Sequence, residues 1–213
     1  MEPLTLDHVA LWVADRDAIT EIATAQLGMH VIDRTDAFTL VGADARRGKL
    51  TLFAADGPRE RGPLLRIGLR VSALNGRTSR VALGEGLEAV LVEAPTEVDY
   101  DLDHVALETA DPSATASAWE SYGLRRVGET RLEVGGAYVD LVPGAATGEP
   151  ERPLLNHLAV LVDSVDQHVS EAKERGLEIA DVVDAPNTLA LFVWGPDRVK
   201  LEYVEHKPSF SLT

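Results

Sequence analysis

A chain of 213 residues can bury a substantial core, and it is long enough for one large domain or two small ones. Its formal net charge of -15 argues against a nucleic-acid partner, because phosphate binding needs a basic surface, but it leaves room for a local site that takes a small anion. Cysteine is absent, which excludes disulfides and thiolate ligands, so any transition metal must be held by His, Asp or Glu. No apolar run approaches the ~18 residues of a membrane span, and no basic stretch followed by an apolar one stands at the N-terminus. The expectation is a cytoplasmic protein with no membrane partner.

One phrase recurs along the chain. Leu6-Asp7-His8-Val9-Ala10-Leu11 returns as Leu102-Asp103-His104-Val105-Ala106-Leu107 and, more loosely, as Leu155-Asn156-His157-Leu158-Ala159-Val160. Such self-similarity marks one supersecondary unit copied and stacked. The first unit reads as a strand at 6–13, an Asp15 cap, a helix closing at Gly28, and strands at 29–34, 38–42 and 49–54. The second opens at 64–71, is capped by Ser72, has a helix ending at Gly84 or Gly86 and a strand at 87–93, and is truncated. The third runs 102–109, with Asp111-Pro112 as cap and first helical residue, a helix to Gly123, and strands at 125–129, 131–134 and 138–142. The fourth runs 156–162, with a cap at Asp163 or Ser164, a helix to Gly176, and strands at 178–183, 189–194 and 199–204. Pro- and Gly-rich joints at Gly57-Pro58, Gly62-Pro63 and 143–153 separate the units.

These motifs resemble the vicinal oxygen chelate superfamily, which includes glyoxalase I, extradiol ring-cleavage dioxygenases and bleomycin-resistance proteins. The strand-opening Asp-His-(aliphatic)-Ala-(aliphatic) carries the resemblance, together with Gly195-Pro196-Asp197-Arg198-Val199-Lys200-Leu201-Glu202, which is similar to that family's closing hairpin. The resemblance implies an α+β fold of four tandem βαβββ modules forming paired curved mixed sheets around a cleft. It also implies a divalent metal held by residues on the first and last strands, with the closing Glu as a ligand. Units one and two are expected to form an N-terminal pair over 1–100 with a degenerate site. Units three and four would form a C-terminal pair over 101–213 that holds the metal, as in the two-domain extradiol dioxygenases.

Period-2 alternation puts His104, Ala106 and Glu108 on one strand face, His157 with Ala159 on another, and Glu202 opposite Leu201 and Tyr203. His104, His157 and Glu202 are therefore the expected metal ligands. Such a two-His-one-carboxylate set suits Fe(II) or Mn(II), with Ni(II) or Zn(II) as alternatives. Asp140 stands where glyoxalase-like relatives supply a fourth ligand and would turn the site toward Lewis-acid isomerisation. His8 has Thr51 and Arg66 at its partner positions, so it is expected to be a packed or hydrogen-bonded residue of a metal-free half. His30 and His168 are expected at the surface, and His206 near the rim. Phe192 takes the place of the extradiol enzymes' second-sphere Tyr, and no His falls at 184 or 185. Phe192 and Trp194 share a strand face and could line an apolar substrate pocket. Three functions fit: a dioxygenase-like metal enzyme acting on a small oxygen-bearing substrate, a glyoxalase-type lyase or isomerase, and a ligand-binding protein of the bleomycin-resistance kind. A homodimer is compatible with each.

Overall fold

A computed structural model describes residues 1–144 and 152–213. The joint expected at 143–153 therefore falls largely outside the described residues. The first unit is β1 (Thr5–Val13), α1 (Arg16–Ile22, continuing as a wider turn over Ala23–Leu27), β2 (His30–Arg34), β3 (Phe38–Gly42) and β4 (Lys49–Ala54). The second is β5 (Leu64–Val71), β6 (Arg80–Gly84) and β7 (Leu87–Glu93). The third is β8 (Asp101–Thr109), α2 (Pro112–Trp119), β9 (Arg125–Arg126), β10 (Arg131–Val134) and β11 (Ala137–Pro143). The fourth is β12 (Leu155–Leu161), α3 (Val165–Glu174), β13 (Ile179–Asp184), β14 (Thr188–Trp194) and β15 (Lys200–His206). This is the α+β arrangement of repeated modules that the sequence implies, and among the described residues no helix is long and apolar enough to cross a membrane.

The three complete units start their helices in the same way. Asp15, Asp111 and Ser164 each accept a hydrogen bond from the amide three residues on, at Ala18, Ala114 and Gln167, which satisfies one orphan donor of the first turn. The second unit has no helix. Asn75 and Gly76 both adopt positive φ, so the chain turns there. Arg80–Gly84 then alternates exposed and buried side chains as a strand, not the helix expected before Gly84. The Asn-Gly dipeptide was the available signal.

The units form two sheets, one of eight strands in the order β13-β14-β15-β12-β1-β4-β3-β2 and one of seven in the order β6-β7-β5-β8-β11-β10-β9. Unit one therefore pairs with unit four, and unit two with unit three, in place of the contiguous pairs 1–100 and 101–213. Inside each unit the first strand lies parallel to the last. Between units, first strand pairs antiparallel with first strand: β1 with β12 and β5 with β8. Each opening strand has a free edge whose backbone groups need a partner. Any other unit's opening strand can supply one, so the motif alone does not choose between pairings.

The two sheets share one core. Leu6, Val9, Leu11 and Val13 of β1 meet Leu102, Val105 and Leu107 of β8 within it, and all seven are essentially inaccessible. His168, expected at the surface, also lies inside. Its Nδ1 hydrogen-bonds the Ser164 carbonyl and its ring packs on Tyr203, because α3 turns that face toward β15.

The β10–β11 turn shows how tightly the halves approach. Gly135 has φ +53°, and a Cβ there would lie 1.6 Å from the Leu4 carbonyl oxygen. Gly136 has φ +85° but faces open space. Gly136→Ala should cost about 1 kcal/mol through backbone strain alone. Gly135→Ala should cost clearly more, lowering the melting temperature by more than about 4 °C, since each kcal/mol shifts a chain of this size by about 2–4 °C. Calorimetry of the two variants side by side checks this, and equal losses would contradict the close approach.

Candidate metal centre

The antiparallel pair β1–β12 carries the site. In register, His8 lies opposite Ala159 and Ala10 opposite His157, while Glu202 on β15 lies beside Ala159. Three donor atoms thereby converge on one face. His8 Nε2 is 3.1 Å from His157 Nε2 and 3.1 Å from Glu202 Oε2, and His157 Nε2 is 2.8 Å from the same carboxylate oxygen. Among the described residues these three form the one cluster of His and acidic groups close enough together to share an ion.

A backbone irregularity aims the histidines. The register slips between Leu6 and His8 on β1, and between Ala10 and Leu11 opposite β12, so Asp7 and Asn156 are the extra residues of two β-bulges. In a regular strand, neighbouring side chains point to opposite faces. At each bulge the Asx side chain instead reaches the ring that follows it. Asp7 Oδ1 lies 2.7 Å from His8 Nδ1, and Asn156 Oδ1 lies 3.0 Å from His157 Nδ1. Neither oxygen carries a proton to give, so each Nδ1 is the donor and each Nε2 presents a lone pair or its own proton to the cluster.

The charges follow from this geometry. Burial pushes His8 down, but Glu202 and Asp7 outweigh it and raise its pKa to about 9. Burial pushes Glu202 up, but His8 and His157 bring it down to about 2. Burial lowers His157 below the ordinary imidazole value. The site therefore holds a carboxylate, one imidazolium and one neutral imidazole. Two buried Nε2 atoms aimed at one carboxylate oxygen call for a cation between them, and here a proton on His8 plays that part. A divalent ion matches the same donors with a larger charge, so the residues present fit a metal.

Behind His8 lies a buried polar cluster. Lys49 donates to Asp7 Oδ2 at 2.9 Å and to the Ala45 carbonyl at 2.8 Å, and His206 Nε2 sits 3.0 Å from Asp7 Oδ2. Desolvation of Asp7 is outweighed by Lys49, His206 and His8, which hold its pKa well below the carboxylate range. His206 is thus engaged behind the site and stacks on Phe210 with ring centroids 4.4 Å apart.

The front of the cleft is aromatic. Phe192 lies edge-on to His157 with centroids 5.2 Å apart, and Phe53 approaches the same ring at 6.3 Å. Trp12 and Phe38 pack on Phe53 at 5.3 and 5.8 Å. Trp194 stands further along β14 beneath Arg198 and Lys200. The expectation of a metal-free first half leaves Trp12, Phe38 and Phe53 out of the sequence-based site. Alternation from His8 to Trp12 and from Thr51 to Phe53 could have found two of them.

Of the expected ligands, His157 and Glu202 are brought together and His104 is not. His104 lies in the other sheet, where β8 pairs with β5 and not with β12. Asp140 is there too, gripped by Arg131 at 2.6 and 2.8 Å. His8 takes the place His104 was expected to fill. Thr51, beside Ala10 as Glu202 is beside Ala159, occupies the position of a fourth ligand.

The sequence matches the model of the Glyoxalase/Bleomycin resistance protein/Dioxygenase superfamily over residues 5–203. No curated protein matches it. The fold is shared with many solved structures. A "putative dioxygenase" from Bacillus subtilis is 16% identical with a TM-score of 0.73, covering 98% of this chain and 87% of its own. Glyoxalase I from Zea mays is 14% identical with a TM-score of 0.67, covering 94% and 92%. The cppA protein from Streptococcus pneumoniae is 15% identical with a TM-score of 0.61, covering 95% and 98%.

Removing Asp7 tests the cluster behind His8. Asp7→Ala leaves the buried Lys49 ammonium without its carboxylate, and should cost about 3–5 kcal/mol in urea unfolding. Adding Lys49→Met to it should recover much of that loss, because an apolar replacement removes the stranded charge. A double variant no more stable than Asp7→Ala would contradict this account.

Proposed function

The chain belongs to the Glyoxalase/Bleomycin resistance protein/Dioxygenase superfamily, and from that premise we propose that it is a divalent-metal-dependent enzyme of the dioxygenase-like kind. In this reading His8, His157 and Glu202 are the ligands, and the substrate is a small, partly aromatic molecule that offers two neighbouring oxygens. The convergence of two Nε2 atoms and one carboxylate oxygen within 2.8–3.1 Å, with Thr51 and no carboxylate in the fourth position, carries the reading. Three protein donors on one side of an ion leave neighbouring positions open, the donor pattern of Fe(II) oxygenase sites. Four would favour the isomerase alternative. The ion supplies Lewis acidity toward the two substrate oxygens and, if iron, one-electron chemistry.

The remaining work belongs to the chain. Asp7 and Asn156 hold the Nδ1 protons and so fix both imidazole planes. Phe192, Phe53 and Trp12 exclude water from one side of the ligand cluster and offer flat faces to an aromatic ring. Phe192 has no proton to give where the extradiol pattern has a Tyr, so ring cleavage by that family's usual acid–base route lacks its donor.

Metal analysis of untagged protein tests the ligand set. One equivalent of Fe, Mn, Ni or Zn is expected in the wild type and in His104→Ala. His8→Ala, His157→Ala and Glu202→Ala should each lose it. Retention in His8→Ala with loss in His104→Ala would refute the assignment. Oxygen uptake by iron-loaded protein tests the chemistry. Simple catechols should be turned over far below the ordinary enzyme range of about 1–10³ s⁻¹. Phe192→Tyr should raise the rate if the missing proton donor is what limits it. Absence of metal in the wild type would leave a binding protein instead.

A further inference from the structure

The second sheet repeats the plan of the first with different side chains. β5 and β8 are bulged at Leu65 and Asp103, so Arg66 and His104 stand where His8 and His157 stand in the other cleft. The His104 ring lies flat on Gly68, where an added Cβ would come within 2.3 Å of Nδ1. Asp103 Oδ1 accepts the Nδ1–H at 2.8 Å, which leaves the lone pair on Nε2. Arg66 Nε donates to that lone pair at 3.2 Å. The atom that would bind a metal is therefore occupied by a cation of the protein's own.

The charges around it do not cancel. Arg131 is bidentate to Asp140, Arg61 pairs with Glu108, and Arg70 pairs with Asp103. Arg80 holds Glu88 and Arg125 holds Glu133. Among the described residues, Arg66 alone of these six guanidiniums has no carboxylate, and its two Nη groups have no acceptor. The Arg66 side chain is half-buried. Val90, opposite Gly68, and Val142, opposite Glu108, add half-buried apolar surface.

We propose that this second cleft is a metal-independent binding site for a small carboxylate anion with an apolar tail. The carboxylate is received end-on by the two Nη groups of Arg66, while His104 fixes the guanidinium through Nε. A planar fork matches a planar carboxylate through two parallel hydrogen bonds, and a carboxylate supplies the charge that the paired residues withhold. The proposal does not rest on the metal reading of the first cleft.

Calorimetric titration of EDTA-treated protein with isobutyrate, and with isobutyramide as its neutral counterpart, tests it. The wild type should bind one equivalent of isobutyrate saturably, more weakly as salt is added, and should not bind the amide. Arg66→Gln should weaken binding by roughly tenfold or more, and Gly68→Ala, which displaces His104, should weaken it as well. If Arg66→Gln does not fold, the Arg66 Nε–H resonance of the wild type decides. A shift with isobutyrate and none with the amide supports the site. No saturable binding, equal binding of the amide, or undiminished binding in folded Arg66→Gln would overturn it. Because the protein is stripped of metal, none of these outcomes depends on whether the first cleft holds an ion.

Discussion

The antiparallel pairing of β1 with β12 is the constraint from which the rest of the site follows. It joins the first strand of the chain to the opening strand of the last unit, nearly 150 residues on. It makes one continuous sheet from units that are distant in sequence, and it sets His8 and His157 edge to face across a single strand boundary. Once β1 and β12 are paired, β4 and β15 are placed on the outer sides, parallel to their own opening strands. Glu202 and Thr51 are then fixed as the third and fourth positions around the two histidines. Units two and three, left to one another, build the second sheet by the same rule.

The bulges supply what pairing alone cannot. A histidine in a regular strand would point into the cleft, but its preceding neighbour would point into the core and could not reach its ring. One extra residue brings Asp7, Asp103 and Asn156 round to the Nδ1 of the histidine that follows. A lone imidazole can turn and change tautomer. An imidazole tied at Nδ1 presents one atom in one direction. The Asx-His pair is thus a small rigid device that three of the four units repeat, and what it serves depends on what faces it.

Much of this was legible in the sequence. Strands such as Phe38–Gly42, Lys49–Ala54 and Leu64–Val71 announce themselves by alternation and bounding turns, and the caps at Asp15, Asp111 and Ser164 mark the helices. Thr51 and Glu202, and Arg66 and His104, could be recognised as corresponding positions from the repeat alone. The choice of partners could not. Every opening strand offers the same edge and the same face, so local pattern is equally content with unit one against unit two or unit four. The decision lies in long-range packing, such as the approach of the β10–β11 turn to Leu4, and period-2 reasoning has no access to it. The absence of His104 from the cluster and the presence of His8 in it both follow from that one choice of partners. The bulges were also invisible, because an Asx before a His looks the same in a regular strand.

The two clefts show how one backbone plan can be driven to opposite chemistry by a few substitutions. In the first, two Nε2 atoms and a carboxylate leave a place that a cation must fill, and aromatic rings wall it. In the second, a guanidinium is built into that place. A histidine in the position of Arg66 would return a pair like His8 and His157, and Asp140 would stand near the third position if Arg131 released it. With arginine there, the same bulge, the same Asp-His pair and the same sheet present positive charge outward instead of collecting it. The fixed cation also explains the glycine at position 68. The His104 ring must lie down on the sheet to meet Nε of Arg66, and no side chain can stand beneath it. In the first cleft the residues beside the histidines are Ala10 and Ala159, whose small side chains leave room for two rings that meet edge to face.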